Sequence, residues 1–248
     1  MIRNYLLAAC LVVVWTGCSK TDTQSANANS HAANLKSVGS SANNFLSASA
    51  FNAVNIELDY MPGYPPDGTA ITNLTNYLGQ LINKPGGIQV NLSQIPASGK
   101  TTLALTDVTA LESQNRNIYN SGQTLAVHIM YVDADYSTAN TLGIAYRNTS
   151  IVIFEKTILA NSGGIGQPSR TKLESISLEH EFGHLLGLVD LGSPMLVPHK
   201  DASTNHCTNS ACLMYSTTNI GGMGGVLANT IPVLDDNCRN DLRANGGK

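Results

Sequence analysis

The reading of this chain turns on residues 170–190, RTKLESISLEHEFGHLLGLVD. Leu173, Ile176, Leu178, Phe182, Leu185 and Leu186 recur at the spacing of one helix face, so the stretch is an apolar-flanked helix. His180 and His184 stand four apart and project from one face about one turn from each other, which lets both imidazoles reach a single metal ion. Glu181 lies beside the open position of such an ion, where a carboxylate takes a proton from an attacking water. Gly187, three residues after His184, fits a helix end that closes in the left-handed conformation. The bare HExxH pattern also occurs in helices that merely carry two surface histidines. The apolar flanks and the terminating glycine favour the metal.

Downstream, residues 206–215 read HCTNSACLMY. HEFGHLLGLVD resembles the metzincin metalloprotease signature, HExxHxxGxx followed by His or Asp. The downstream segment resembles the archaemetzincin pattern, in which a zinc-binding His is followed by Cys, four residues, Cys, one residue and Met. His206, Cys207, Cys212 and Met214 keep that spacing. The strand pair LGIAYRNTSIVIF, residues 142–154, is similar to the archaemetzincin sheet edge. The resemblance covers about residues 50–248 and is strong only over 173–215. It implies a mixed α+β fold: a twisted, mostly parallel sheet of about five strands with an antiparallel edge, an active-site helix and a small C-terminal subdomain. That subdomain would hold a methionine turn at Leu213–Met214–Tyr215 and a C-terminal helix, read here as 232–244. The domain would divide into an upper part, 50–188, and a lower part, 189–248.

The resemblance also implies one catalytic Zn2+ held by His180, His184 and a third ligand, with Glu181 assisting attack of a zinc-bound water on a peptide bond. Two patterns nominate different third ligands. The position three residues after Gly187 is Asp190, whereas the spacing to Met214 nominates His206, 16 residues later. His206 is preferred, because an imidazole is the better neutral zinc ligand. His199, with Asp201 near it, is a further candidate, and a carboxylate such as Asp201 could instead orient a ligand histidine. Tyr136, Tyr146 and Tyr215 are candidate oxyanion helpers, and packing is the plainer role for each. Strand 142–146 is nominated as the edge along which an extended peptide adds. His128 reads as a packed histidine within LAVHIMYV, Asp133 and Asp135 as a solvated turn, and the glycine cluster at 220–226 as a loop or a cleft rim.

The archaemetzincin family carries four cysteines that form a structural zinc site. This chain has five cysteines, of which only Cys207, Cys212 and Cys238 lie beyond residue 18. The later CxxC pair of the family is absent, which leaves one thiolate too few. A disulfide among the three, in any of three pairings, is therefore expected for an exported protein.

Export follows from the N-terminus, MIRNYLLAACLVVVWTGC. Arg3 is the positive region, Leu6 to Trp15 a short apolar core, and Thr16–Gly17–Cys18 resembles a bacterial lipobox. Trp15 departs from the usual Leu, and Ala8–Ala9–Cys10 is a poorer alternative. The expectation is a signal peptide over 1–17, lipidation of Cys18 and a flexible tether over 18–49 rich in Ser, Ala and Asn. His31 lies in that tether with no assigned role. The protein would then sit at the envelope of a Gram-negative bacterium, membrane-held by its lipid alone.

Upstream of the helix, Val54, Ile56, Leu58 and Tyr60 alternate with polar residues and predict a strand. Helices are predicted over 71–83 and 107–119, and further strands at 88–92, 124–132, 142–146 and 150–154. Charged residues make up 12% of the 248, well below the roughly 25% usual for soluble domains, and the net charge is −3. With no basic block, a nucleic-acid partner is excluded. A peptide or protein substrate and a monomeric enzyme are expected. A catalytically silent peptide- or glycan-binding lipoprotein on the same fold is the competing reading, and a zinc hydrolase of non-peptide bonds is a third. An intact Glu181 counts against the binder, which has no need of a base.

Overall fold

The computed structural model describes residues 31–216 and 230–248. The signal peptide, Cys18, the first part of the expected tether and the glycine cluster at 220–226 lie outside the described residues. Among the described residues, no helix is long and apolar enough to cross a membrane.

The elements run α1 (Ala42–Leu46), β1 (Ala53–Tyr60), α2 (Gly68–Leu81), β2 (Ile88–Gln94), β3 (Thr102–Leu103), α3 (Leu105–Asn115), β4 (Thr124–Tyr131), β5 (Asp135–Tyr136), β6 (Gly143–Arg147), β7 (Ser150–Ile153), α4 (Glu155–Ala160), α5 (Arg170–Leu185) and α6 (Asp236–Ala244). Five strands form one sheet in the order β2-β1-β4-β7-β6. All its pairings are parallel except β6 with β7, which places an antiparallel strand at the edge. The predicted helices and strands fall on these elements within a few residues. The C-terminal helix starts four residues later than read, because Asp235 caps it by accepting from the Cys238 N–H at 2.9 Å.

β4 is central, and TLAVHIMY is buried on both faces, as a parallel strand between two layers must be. One face of the sheet, with Ile56, Leu58, Val127 and Ile129, packs against α2 and α5. The other, with Met130, Val132 and Val152, meets Val108 of α3. The polar half of the β1 alternation is therefore not solvated. Glu57 accepts from the N–H groups of Asn117 and Ile118, and Asp59 Oδ2 lies 2.9 Å from His128 Nε2. His128 is thus a packed residue with a carboxylate partner. A period of two assigns the faces of a strand but does not say whether the polar face meets water.

The tether over 18–49 needs correction where it is described. Residues 31–49 pack onto the domain. Asn34 is fully buried and its Nδ2 donates to Asn120 Oδ1, Ala126 O and Thr149 Oγ1. Lys84 Nζ donates to the carbonyls of Asn44, Ser47 and Phe51 and ties the segment down. Phe45 meets Phe182 of α5 edge-to-face at 6.3 Å, an aromatic contact on the helix that carries the histidines. His31 stacks on Tyr119 at 3.5 Å between ring centroids. The polar composition that suggested disorder is spent on buried hydrogen bonds, and Phe45 with Leu46 supplies the apolar anchor.

A buried carboxylate near the start of α5 makes stability depend on pH. Glu155 Oε1 accepts from Arg170 Nε at 2.8 Å, while Oε2 is buried with no protein partner. Burial, and then Glu174 beside it, pushes the Glu155 carboxyl up to about 8, and Arg170 offsets only part of this. Between the ordinary carboxyl value and 8 the folded chain holds the extra proton, so this group lowers stability as pH rises through that window. Glu155→Gln should therefore gain on wild type between pH 5 and pH 8, by on the order of 2 kcal/mol at the upper end. Urea midpoints at the two pH values check it. A difference that does not change with pH would show that Glu155 ionises freely.

Candidate metal centre

The site is built on the last turns of α5. Ser169 caps the helix start by accepting from the Lys172 N–H at 3.2 Å. At the other end the Leu188 N–H bonds to Gly183 O at 3.1 Å and the Gly187 N–H to His184 O at 3.0 Å, with Gly187 at φ +79°. This is the six-to-one and five-to-two closure that a left-handed residue allows. Every residue from Leu173 to Leu185 is buried, so His180, Glu181 and His184 project into protein and not into bulk water.

The structure brings His180, His184 and His206 together, each offering a ring nitrogen, with these atoms within 4.8 Å of one another. Ring centroids are 4.9 to 5.4 Å apart. His180 Nδ1–H donates to Leu213 O at 2.8 Å, which leaves Nε2 as its free ligand atom. Nδ1 of His184 and of His206 is buried with no protein partner. Burial holds all three rings below the ordinary histidine range, His180 at about 4, so the trio is neutral at pH 7. Three neutral, converging imidazoles fit a zinc ion.

Glu181 stands beside them. Its Oε2 accepts from the Ala145 N–H of β6 at 2.6 Å, and burial pushes its carboxyl up to about 7. A Cβ on Gly143 would lie 3.0 Å from Glu181 Cγ, so the edge strand is pared to glycine where the carboxylate passes. Met214 is fully buried and its sulfur lies against Gly183 of α5. A Cβ on Gly183 would lie 2.2 Å from its sulfur, which explains the glycine inside the HExxH stretch. The Tyr215 N–H bonds to Cys212 O at 3.0 Å, making a tight turn that carries the Leu213 carbonyl to His180. A cavity of about 450 Å³ opens over this group, lined by β6, Tyr136, Glu181, His184 and His206. Val38 and Leu191 also line it.

The other candidates lie elsewhere. Asp190 is exposed, in a left-handed conformation at φ +65° beyond the helix end. His199 is buried 3.4 Å from Asp241 and 3.7 Å from the Cys238 sulfur. Asp201 accepts from Ser203 and Thr204, and its charge acts on the nearby His206 ring, where it favours the protonated form against the larger effect of burial. Tyr136 lines the cavity, Tyr215 is solvent-exposed, and Tyr146 is half-buried with its hydroxyl near Glu112. Asp133 accepts from Ser98, and Asp135 pairs with Lys156 at 2.8 Å.

The disulfide expectation is corrected. Cys207, Cys212 and Cys238 are free and buried, and their sulfurs converge with a carboxylate oxygen of Asp235 within 4.8 Å. Sequence reasoning counted cysteines and so missed Asp235, whose one sequence signal is its place three residues before Cys238.

No protein-family model and no curated protein matches the chain. Among solved structures, the crystal structure of archaemetzincin from Methanopyrus kandleri aligns with TM-score 0.52 at 15% identity, covering 78% of this chain and 96% of that one. The shared property is the fold, including the mostly parallel five-stranded sheet with its antiparallel edge.

Proposed function

We propose that the chain is a zinc-dependent endopeptidase, with His180, His184 and His206 as ligands and Glu181 as general base. The observation that carries this is the convergence of three imidazoles with a buried carboxylate beside the edge strand of the sheet. The likeness of fold to a protein named archaemetzincin supports it. When bound, zinc supplies a Lewis acid that polarises the scissile carbonyl and acidifies water. Glu181 accepts the proton of the attacking water at its carboxylate and passes it to the leaving amine. The Ala145 N–H orients that carboxylate, and the Leu213 carbonyl fixes the His180 tautomer. The turn at Leu213–Met214–Tyr215 takes the part of the methionine turn, with Met214 as packing beneath the ion. An extended peptide docks along β6 by strand addition. Among the described residues, those that line the cavity include no Lys or Arg and, besides Glu181, no carboxylate, so uncharged side chains fit beside Val38, Ile144 and Leu191.

We also propose that the enzyme is exported and held at the envelope through a lipidated Cys18, on the strength of the N-terminal sequence alone. The whole reading is tested by zinc content and by hydrolysis of an unstructured protein substrate. His206→Ala is expected to lose one equivalent of zinc and all hydrolysis, and His199→Ala and Asp190→Ala to keep the ion at this site. Zinc retained at the histidine site in His206→Ala would remove His206 from the ligand set. Peptide bound with zinc present and never cleaved would leave the binding lipoprotein.

A further inference from the structure

The structure assigns to this chain a binding site, apart from the histidine centre, for a lysine-like zwitterion: a protonated amine and a carboxylate joined by an aliphatic stem. The site is a cavity of about 340 Å³ bordered by α2, α5 and α6, within the size range of small-molecule pockets. Among the described residues it shares no lining side chain with the cavity over the histidines, and it does not rest on the proposed peptidase activity.

Glu179 of α5 carries the inference. It lines this cavity at 6% exposure, and no hydrogen bond or neighbouring charge among the described residues offsets its burial. Each other buried carboxylate among the described residues has a hydrogen-bond partner, from Glu57 with its two backbone N–H groups to Asp241 with that of Leu196. A buried carboxylate without a partner is costly, and a ligand that brings the missing donor removes the cost. One carboxylate offers too few oxygens to hold Ca2+, and no His or Cys joins it in the described lining to hold a transition metal. The donor that fits is an organic ammonium.

The opposite charge faces the same space. Arg239, Arg243 and Lys248 line the cavity, and each is turned away from Glu179. Arg239 Nε donates to Leu234 O at 3.1 Å, Arg243 donates to Asn240 Oδ1 at 3.2 Å, and Lys248 Nζ donates to Gly79 O. Arg243 is solvent-exposed and Glu179 is buried, so the anion lies deep and a guanidinium lies at the mouth. Leu81 and Ile231 add apolar wall, against which methylenes pack. A cavity so polarised selects a molecule with the reverse order of charge, ammonium inward and carboxylate outward. An α-ammonium sits beside its own carboxylate and cannot separate the charges in this way, whereas a lysine side chain can. Free lysine and a lysine at the C terminus of a peptide share this chemistry.

The test is calorimetric titration of the full chain with Nα-acetyl-L-lysine, which mimics a C-terminal lysine, and with L-lysine. One equivalent of either is expected to bind saturably. Nα-acetyl-L-norleucine lacks the side-chain amine and Nα-acetyl-L-lysinamide lacks the carboxylate. Each is expected to bind about 10- to 100-fold more weakly, the effect of losing a hydrogen bond to a charged group. Glu179→Gln is nearly isosteric and is expected to weaken acetyl-lysine binding by the same range. Its melting temperature should be no lower than that of wild type, because the unpaired buried charge is gone. His206→Ala is expected to bind acetyl-lysine as wild type does. Tighter binding of the acetylated compound would assign the site to peptide C termini, and tighter binding of L-lysine to the free amino acid. No saturable heat with either compound, or equal affinity for the norleucine analogue, would overturn the site. Undiminished affinity in Glu179→Gln, or binding lost in His206→Ala, would overturn it as well.

Discussion

Glu181→Gln is expected to lower kcat/KM for peptide hydrolysis by about 10²- to 10⁴-fold with zinc content unchanged, the range that a positioned general base contributes. Gln is nearly isosteric with Glu, and its carbonyl oxygen can still accept from the Ala145 N–H, so the edge strand keeps its register against α5. The three imidazoles are untouched. The change removes only the ability to take a proton at one atom. Glu181→Ala is a weaker experiment, because it also vacates the space above Gly143 where the side chain now packs. Paired assays of hydrolysis and zinc content separate the outcomes. Full activity in Glu181→Gln would show that another group takes the proton, and loss of zinc together with activity would show that the carboxylate holds the site rather than reacts in it.

The sequence carries the local half of this molecule. Helix α5 is legible because its apolar spacing, its two histidines and its closing glycine all report on one turn after another of the same backbone. The strands are legible for the same reason: VNIELDY and LAVHIMYV state which face each residue takes. What the sequence withholds is set by distance along the chain. His206 gains meaning only when the turn at Leu213 brings it over α5, and His199, seven residues before it, is carried instead to α6 and the cysteines. Asp235 reads as a helix cap, which it is, until the fold sets its second oxygen against Cys207. The segment at 31–49 fails for a different reason. A polar stretch is disordered only if its polar groups prefer water, and here Asn34 donates to Thr149 and the Ala126 carbonyl while Ser41 and the Ala33 carbonyl accept from Asn148 inside the protein.

Gly187→Ala is expected to cost the fold on the order of 3–5 kcal/mol and to take the metal with it. Two penalties combine. At φ +79° the residue sits where an L side chain is strained by about 1 kcal/mol. An added Cβ would also fall 2.5 Å from the Ser193 nitrogen, 2.7 Å from the Ala42 Cβ and 2.8 Å from the Gly192 carbonyl carbon. Two of these are backbone atoms that cannot rotate away, so relief requires the loop or α1 to move. Neither is free to do so. The Gly187 carbonyl accepts from the N–H groups of Leu191, Gly192 and Ser193, at 2.8 to 3.2 Å, and ties the loop back onto the helix end. The chain then continues through Val189 and Asp190, both at positive φ, so this corner already holds a β-branched residue in an unfavourable conformation. Movement here reaches His184 three residues away, because the Gly187 N–H bonds to its carbonyl. Thermal denaturation with and without added zinc measures both effects. A variant as stable as wild type would mean that the loop can withdraw from the helix end at little cost, and that the closure of α5 is not what holds His184 against its partners.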